Sequence, residues 1–337
     1  MLLYCAPMAI KHKAISTDFL NGKTVLVTGG TGTFGRAFVA RLLTVPGVHK
    51  VIVFSRDELK QSEMQAQYKN EPRLRFFIGD IRNPERLRRA FHGVDIVVHA
   101  AAMKRVESIE YNPTEAIETN IIGSRNVIDA ALERKVGKTL LVSSDKAVEP
   151  INLYGATKLA AEKLFVAGNA YAGEEGSAFS VVRYGNVIGS RGSFVETIGR
   201  QRPAGVITIT NKDMTRFWIR IESVMDIVLE CLLLMQGGEI FVPKMKNMAI
   251  TDMVKLLAPE CKQKIVGMRP GEKLHEILIT RYEAPFAKEL SHMYAIAPLE
   301  GAEWLQRYKS TQSGLNYVSD NKKFLLDKKE AAELFGI

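Results

Sequence analysis

The chain of 337 residues is short of most features that would place it outside the ordinary globular enzymes. It has three cysteines, Cys5, Cys231 and Cys261, far apart and without metal-ligand spacing. That excludes a disulfide framework and a cysteine metal centre, and it fits a reducing cytoplasm. No apolar run approaches the roughly 20 residues needed to cross a bilayer, so no membrane partner is expected. The apolar stretch Met1 to Ile10 is short, and its basic residues Lys11 and Lys13 follow it. A secretory signal has the reverse order, so residues 1–21 read as an N-terminal extension. In Leu2-Leu3-Tyr4-Cys5 the bulky Tyr before the Cys argues against a lipoprotein site. Runs of basic residues and interleaved aromatics are also lacking, although 46 Lys and Arg against 37 Asp and Glu leave a net charge of +9. Nucleic acid is therefore not expected, whereas a small polyanion such as a phosphorylated cofactor or nucleotide-linked substrate fits. There is no internal repeat, linker or low-complexity segment.

What is present alternates strand and helix. The apolar run Lys23 to Thr28 leads into Gly29-Gly30-Thr31-Gly32-Thr33-Phe34-Gly35 and then a helix through Leu43. Strand, glycine turn and helix in that order form a phosphate cradle, because glycines let the backbone approach a pyrophosphate at the helix N-terminus. The spacing is GxxGxxG (Gly29, Gly32, Gly35), with Thr31, Thr33 and Phe34 on the same turn. A second strand, Lys50 to Phe54, ends in Ser55-Arg56-Asp57-Glu58-Leu59-Lys60. An NAD enzyme places an acidic residue at that point to hold the ribose. Ser55, Arg56 and Lys60 suit a 2′-phosphate instead, so NADP is predicted, with Asp57 on a ribose as the alternative. The third strand, Leu74 to Ile78, precedes Asp80 and Ile81, placed to meet an adenine. The fourth, Asp95 to His99, precedes Ala100 and Ala101, small enough for a flat cofactor to lie close. His99, inside an apolar strand, reads as a core residue.

The fifth strand, Thr139 to Val142, opens the stretch that carries the chemistry: Ser144, Asp145, Lys146, then Tyr154 and Lys158. Tyr and Lys four apart share one helical face. An ammonium beside a phenol lowers its pKa, and the phenolate can then take a proton from a substrate hydroxyl. A sixth strand, Phe179 to Arg183, precedes a glycine-rich loop containing Asn186, Val187 and Arg191. The pattern predicts an α/β fold: a Rossmann-type, doubly wound parallel sheet of about seven strands, with the ligand at its C-terminal edge.

Beyond residue 190, short strands are predicted at Ile207 to Thr210 (including Thr208) and Met214 to Ile219. A helix is predicted from Ile221 to Met235 and a seventh strand at Gly238 to Pro243. Arg269 to Glu276 reads as a charged turn leading into a helix, and Leu325 to Leu334 as a terminal helix. The domains drawn from this are 22–185 plus about 218–244 for the dinucleotide, and about 186–217 plus 245–337 for substrate.

In its segments Thr28 to Gly35, SRDELKQSEM (55–64), DKAxxPINLYGATK (145–158) and RPGEKLHE (269–276), the chain resembles the extended short-chain dehydrogenase/reductases. Within them it resembles the inverting UDP-N-acetylglucosamine 4,6-dehydratases, the first enzymes of bacterial pseudaminic acid synthesis. Retaining sugar 4,6-dehydratases commonly have Asp-Glu where this chain has Asp145-Lys146, and the larger membrane-linked relatives tend to have Met at the position of Tyr154. The family usually has Thr where this chain has Ser144.

The resemblance implies a cytoplasmic homo-oligomer with tightly bound NADP, recycled each turnover, a UDP-sugar substrate and no metal. Cofactor contacts are implied for the glycine turn, Ser55, Arg56, Lys60, Asp80, Ile81, Ala100, Ala101, Tyr154, Lys158 and Val187. Tyr154, assisted by Lys158 and Ser144, would take the 4-hydroxyl proton. Lys146, neutralised by burial or nearby cations, would take the carbon 5 proton, and a protonated Asp145 would feed the leaving 6-hydroxyl. Lys104, Asn186, Arg191, Thr208 and Arg269 are the expected substrate contacts. A nucleotide-sugar 4-epimerase shares the fold and the Tyr–Lys pair but needs no acid–base pair at Asp145-Lys146. A non-enzymatic NADP sensor has no use for the proton relay.

Overall fold

Runs of Val, Leu and Ile with no polar alternation can be satisfied only where both faces of a strand are covered. The computed structural model, which describes residues 15–173, 176–190, 192–298, 302–311 and 315–337, forms such strands. These are β1 (Thr24–Thr28), β2 (Lys50–Ser55), β3 (Leu74–Ile78), β4 (Ile96–His99), β5 (Lys138–Ser144), β6 (Ala178–Tyr184) and β7 (Ile240–Pro243). They pair in parallel in the order β3-β2-β1-β4-β5-β6-β7. The order turns back between β1 and β4, and at such a switch point the strand ends diverge and leave a crevice. Helix Thr33–Leu43 packs beside helix Ile221–Leu234 on one face, tied by Arg41 Nε to Asp226 Oδ1 at 3.2 Å. Helices Gly123–Glu133 and Leu153–Gly168 pack together as a second helical layer.

The C-terminal third departs from the sequence reading. Strands Met293–Ile296, Ala287–Glu289 and Lys309–Ser310 add antiparallel to β7 and extend the sheet to ten strands. They come from the stretch that the sequence reading gave to the substrate half. β7 would otherwise be an open edge with unpaired peptide groups, and the added strands cover it. The turn at 269–276 does not lead into a helix. It runs into strand Ile277–Ile279, which pairs with Tyr317–Val318. The peptide of Glu276 is tied to Ser319 at both ends, N to Oγ at 2.9 Å and O from N at 2.8 Å. The terminal helix spans Lys328–Phe335, because Asp327 caps it in a reciprocal box with Glu330 and Gly336 ends it at φ 73°.

A second, smaller core collects Ile198, Ile207, Ile209, Met214, Trp218, Met253 and Val254. Strand Thr215–Arg220 joins the two cores by simple alternation. Phe217 lies against Tyr317 with ring centroids 4.9 Å apart, and its neighbour Trp218 meets Phe335 at 5.8 Å.

Candidate active site

A cleft of about 1090 Å³ runs along the C-terminal ends of the parallel strands. One end is the glycine turn. Gly29 has φ +66°, and a Cβ there would come within 2.9 Å of the Ala101 backbone; a Cβ on Gly35 would stand 2.5 Å from the Gly29 carbonyl. The turn is therefore packed directly onto the end of β4, where the Ala100 and Ala101 amides donate to Thr28 Oγ1 at 3.2 Å each. Helix Thr33–Leu43 begins there without a side-chain cap, on Gly32. Its amides and partial positive charge face the cleft, a setting that fits the pyrophosphate of a dinucleotide.

Thr31, Gly32, Thr33, Phe34, Ser55, Arg56, Lys60, Asp80, Ile81, Ala100, Ala101 and Val187 all line this cleft. Arg56 is 55% exposed and reaches Asp80 Oδ2 only at 3.5 Å, while Lys60 is paired with Asp57, the cap of the following helix. Burial works against the charge of Asp80, but bonds from Arg82 hold its carboxyl below the usual range. His99 is a core residue, as read from sequence, bonded to Thr28 and Ser124.

The other end of the cleft is built where β5 stops. Ser144 ends the strand, Asp145 to Ala147 make one tight turn, and helix Leu153–Gly168 starts behind them under the Asn152 cap. The helix packs so closely on the turn that a Cβ on Gly155 would lie 2.1 Å from the Lys146 carbonyl. Ser144 Oγ donates to Asp145 Oδ1 at 2.8 Å, and Lys146 Nζ donates to the same oxygen at 3.0 Å. Asp145 is 1% exposed; its Oδ2 has no partner among the described residues. Burial pushes its pKa up and the neighbouring Glu276 charge adds to that rise, against the opposite pull of Lys146.

Two sequence expectations are corrected here. Burial alone would lower the pKa of Lys146, but Asp145 and Glu276 outweigh it and hold the amine above the usual lysine range. These neighbours favour the ammonium form of Lys146, against the neutral amine expected from sequence. The Tyr154 phenol is not depressed either. Burial raises its pKa, against the pull of Lys146 and the Ser144 hydroxyl. Lys158 instead donates to the Val142 carbonyl at 2.8 Å, and burial draws its pKa down to about 8 against the pull of Glu162.

Among the expected substrate contacts, Lys104, Asn186 and Arg269 line the cleft. Asn186 Oδ1 is buried without a partner among the described residues, and Arg269 holds Glu107 at 2.6 Å. Arg191 lies outside the described residues. Thr208 is not on the cleft wall: it sits on strand Val206–Ile209, bonded to Gln201 at 2.9 Å. Sequence reasoning missed Arg200, on the wall from helix Phe194–Gln201, and Glu276, behind it. Only the RPGEKLHE run signalled Glu276.

Residues 25–298 match the family described as "Polysaccharide biosynthesis protein". A Campylobacter jejuni subsp. jejuni serotype O:2 protein named UDP-N-acetylglucosamine 4,6-dehydratase (inverting) is 46% identical over 328 residues, covering 93% of this chain and 97% of that protein. A Rickettsia conorii protein named UDP-glucose 4-epimerase is 39% identical, covering 93% and 95%. The X-ray structure of Pen from Bacillus thuringiensis superposes with a TM-score of 0.86 at 37% identity, covering 93% of this chain and 96% of that one. Matched over nearly its whole length in sequence and fold, the chain belongs to this polysaccharide biosynthesis family of extended short-chain dehydrogenase/reductases, alongside the inverting UDP-N-acetylglucosamine 4,6-dehydratases.

Proposed function

We propose that the protein is a hydro-lyase that converts UDP-N-acetylglucosamine to the UDP-2-acetamido-2,6-dideoxy-hexos-4-ulose with inversion at carbon 5. On this reading it works with NADP and opens pseudaminic acid synthesis. The observation that carries the reading is the contiguous Asp145–Lys146 acid–base pair, with Nζ 3.0 Å from Oδ1, in the cleft that Tyr154 and Lys158 also line. Oxidation and reduction alone need only the phenol and its lysine; elimination of water needs a further acid and base.

A bound nicotinamide supplies a hydride acceptor that is regenerated within the cycle. Tyr154, once its phenol has lost its own proton, takes the proton of the 4-hydroxyl, with Ser144 oriented beside it. The 4-ketone acidifies carbon 5, whose proton goes to the amine of Lys146 once that amine has lost its own. Asp145, which burial keeps disposed to be neutral, gives its proton to the 6-hydroxyl as the carbon–oxygen bond breaks and water leaves. Carbon 6 recovers the hydride removed from carbon 4, and carbon 5 takes a solvent proton on the opposite face. Lys146 and Asp145 stand as ammonium and carboxylate, in hydrogen-bond contact, so one proton passing between them restores both. Lys104, Asn186 and Arg269 are proposed to hold the nucleotide-sugar, with the arginine on phosphate.

The second reading, a 4-epimerase, is favoured by the name of the Rickettsia relative. Proton NMR of the product formed from UDP-N-acetylglucosamine in heavy water separates them. A 6-deoxy-4-keto sugar carrying deuterium at carbon 5 in the inverted configuration is expected; a galacto product without loss of water would establish the epimerase instead.

A further inference from the structure

Glu276 does not line the cleft, yet cations gather around it. It is 2% exposed, on the extended segment before strand Ile277–Ile279. Its Oε1 lies 3.2 Å from Lys146 Nζ and 3.7 Å from Arg216 Nε; its Oε2 lies 4.0 Å from Lys273 Nζ and has no hydrogen-bond partner among the described residues. A buried carboxylate oxygen without a partner is costly, so this position needs an explanation. Neutralising Arg216 does not supply one. That guanidinium is committed to the carbonyls of Thr215, Lys273 and Leu274 at 2.7, 2.9 and 3.1 Å. Lys273 likewise donates to the Val148 carbonyl. The cation nearest Glu276 is Lys146.

We propose, resting on the reading that Lys146 serves carbon 5, that Glu276 is a positioning residue of the reaction: it anchors Lys146 Nζ from behind the cleft and sets the pH range in which the amine is free to act. Nζ is gripped from two sides, by Asp145 Oδ1 at 3.0 Å and Glu276 Oε1 at 3.2 Å, and its remaining exposed side turns to the cleft. The charged and titratable groups around it are Asp145 on its own turn, Glu276 and Lys273 on the 269–276 segment, Arg216 on strand Thr215–Arg220, and Tyr154 on the helix behind. Burial opposes ionisation of Glu276, but Lys146, Arg216 and Lys273 keep it a carboxylate, so its charge is present to act on Lys146. An opposite charge at this range favours the ammonium.

The test is the pH dependence of dehydration of UDP-N-acetylglucosamine by the full chain loaded with dinucleotide, for wild type, Glu276→Gln and Glu276→Asp. In Glu276→Gln the pH at which the rate levels off on the alkaline side is expected to fall by roughly 1–3 units, the size of shift an adjacent charge produces. The plateau itself should drop at least tenfold, and Glu276→Asp should stay closer to wild type in pH. A Glu276→Gln profile that is merely scaled down, with the levelling pH unmoved, would make Glu276 structural and overturn the proposal. If Glu276→Gln fails to bind dinucleotide, Arg216→Gln reports with the opposite sign. Losing a cation that now disfavours the ammonium moves the levelling pH upward, and an unmoved profile there also overturns the proposal. A wild-type protein that dehydrates nothing would instead refute the proposed function.

Discussion

Arg183 Nη2 lies 2.7 Å from Glu162 Oε2, with both side chains almost wholly inside the protein. Arg183 is on β6 and Glu162 on the helix that carries Tyr154 and Lys158. The same guanidinium reaches Glu283 at 3.0 Å and the Leu278 carbonyl at 2.9 Å, and Glu162 Oε1 takes the Ser143 hydroxyl at 2.5 Å. One buried network therefore fixes helix Leu153–Gly168 to the sheet and to the C-terminal segment. Removing one partner strands a buried charge, which costs about 3–5 kcal/mol. Glu162→Ala is expected to lower unfolding stability by that amount in a denaturant titration; a loss under 1 kcal/mol would mean that water reaches the network.

The proposed acid–base roles predict separable outcomes in single-turnover experiments. Tyr154→Phe should slow formation of reduced dinucleotide by about 10²–10⁴, since it removes the group that accepts the first proton. Lys146→Ala and Asp145→Asn should still reduce the dinucleotide when substrate is added, followed by ultraviolet absorbance, yet yield no 6-deoxy product by mass spectrometry. Equal loss of both signals in all three variants would contradict the division of labour.

The proposed preference for NADP rests on the end of β2. Arg56 is exposed and, among the described residues, held by nothing closer than Asp80 at 3.5 Å, so it can turn to a 2′-phosphate. Charge-assisted hydrogen bonds are worth about 1.5–3 kcal/mol. Arg56→Ala should therefore weaken NADP by about ten- to a hundredfold and leave NAD nearly unchanged. Fluorescence titration of both dinucleotides checks this, and equal weakening would point to a ribose contact or to folding.

His99 makes stability depend on acid. Burial lowers its pKa from 6.5 to about 3, so the unfolded chain binds this proton first as pH falls. The His99 contribution is complete above pH 6.5 and is lost progressively down to about 3. The slope is about 1.4 kcal/mol per pH unit. His99→Gln is expected to be less stable at neutral pH, because the bonds to Thr28 and Ser124 change, but to lose stability less steeply between pH 6 and 4. Parallel curves for the two proteins would show that His99 is protonated while folded.

Much of this architecture is legible locally. The glycine turn, the seven apolar strands and the Tyr154–Lys158 spacing depend on contacts within a few residues, so periodicity and turn chemistry determine them. The sequence by itself decided that β1 would feed a phosphate cradle and that Ser144 to Lys158 would gather a phenol, a carboxyl and two amines at one strand end. Only the tertiary structure decided their charge states. Glu276 stands 130 residues along the chain from Lys146 and meets it only after Ile277–Ile279 pairs with Tyr317–Val318. Likewise the strands from Ala287 onward extend the main sheet because an open edge needed partners, and Thr208 stays off the cleft because Gln201 claims it. A local pattern fixes which groups a segment offers, whereas the field each group feels is summed over neighbours that the folded chain alone brings near.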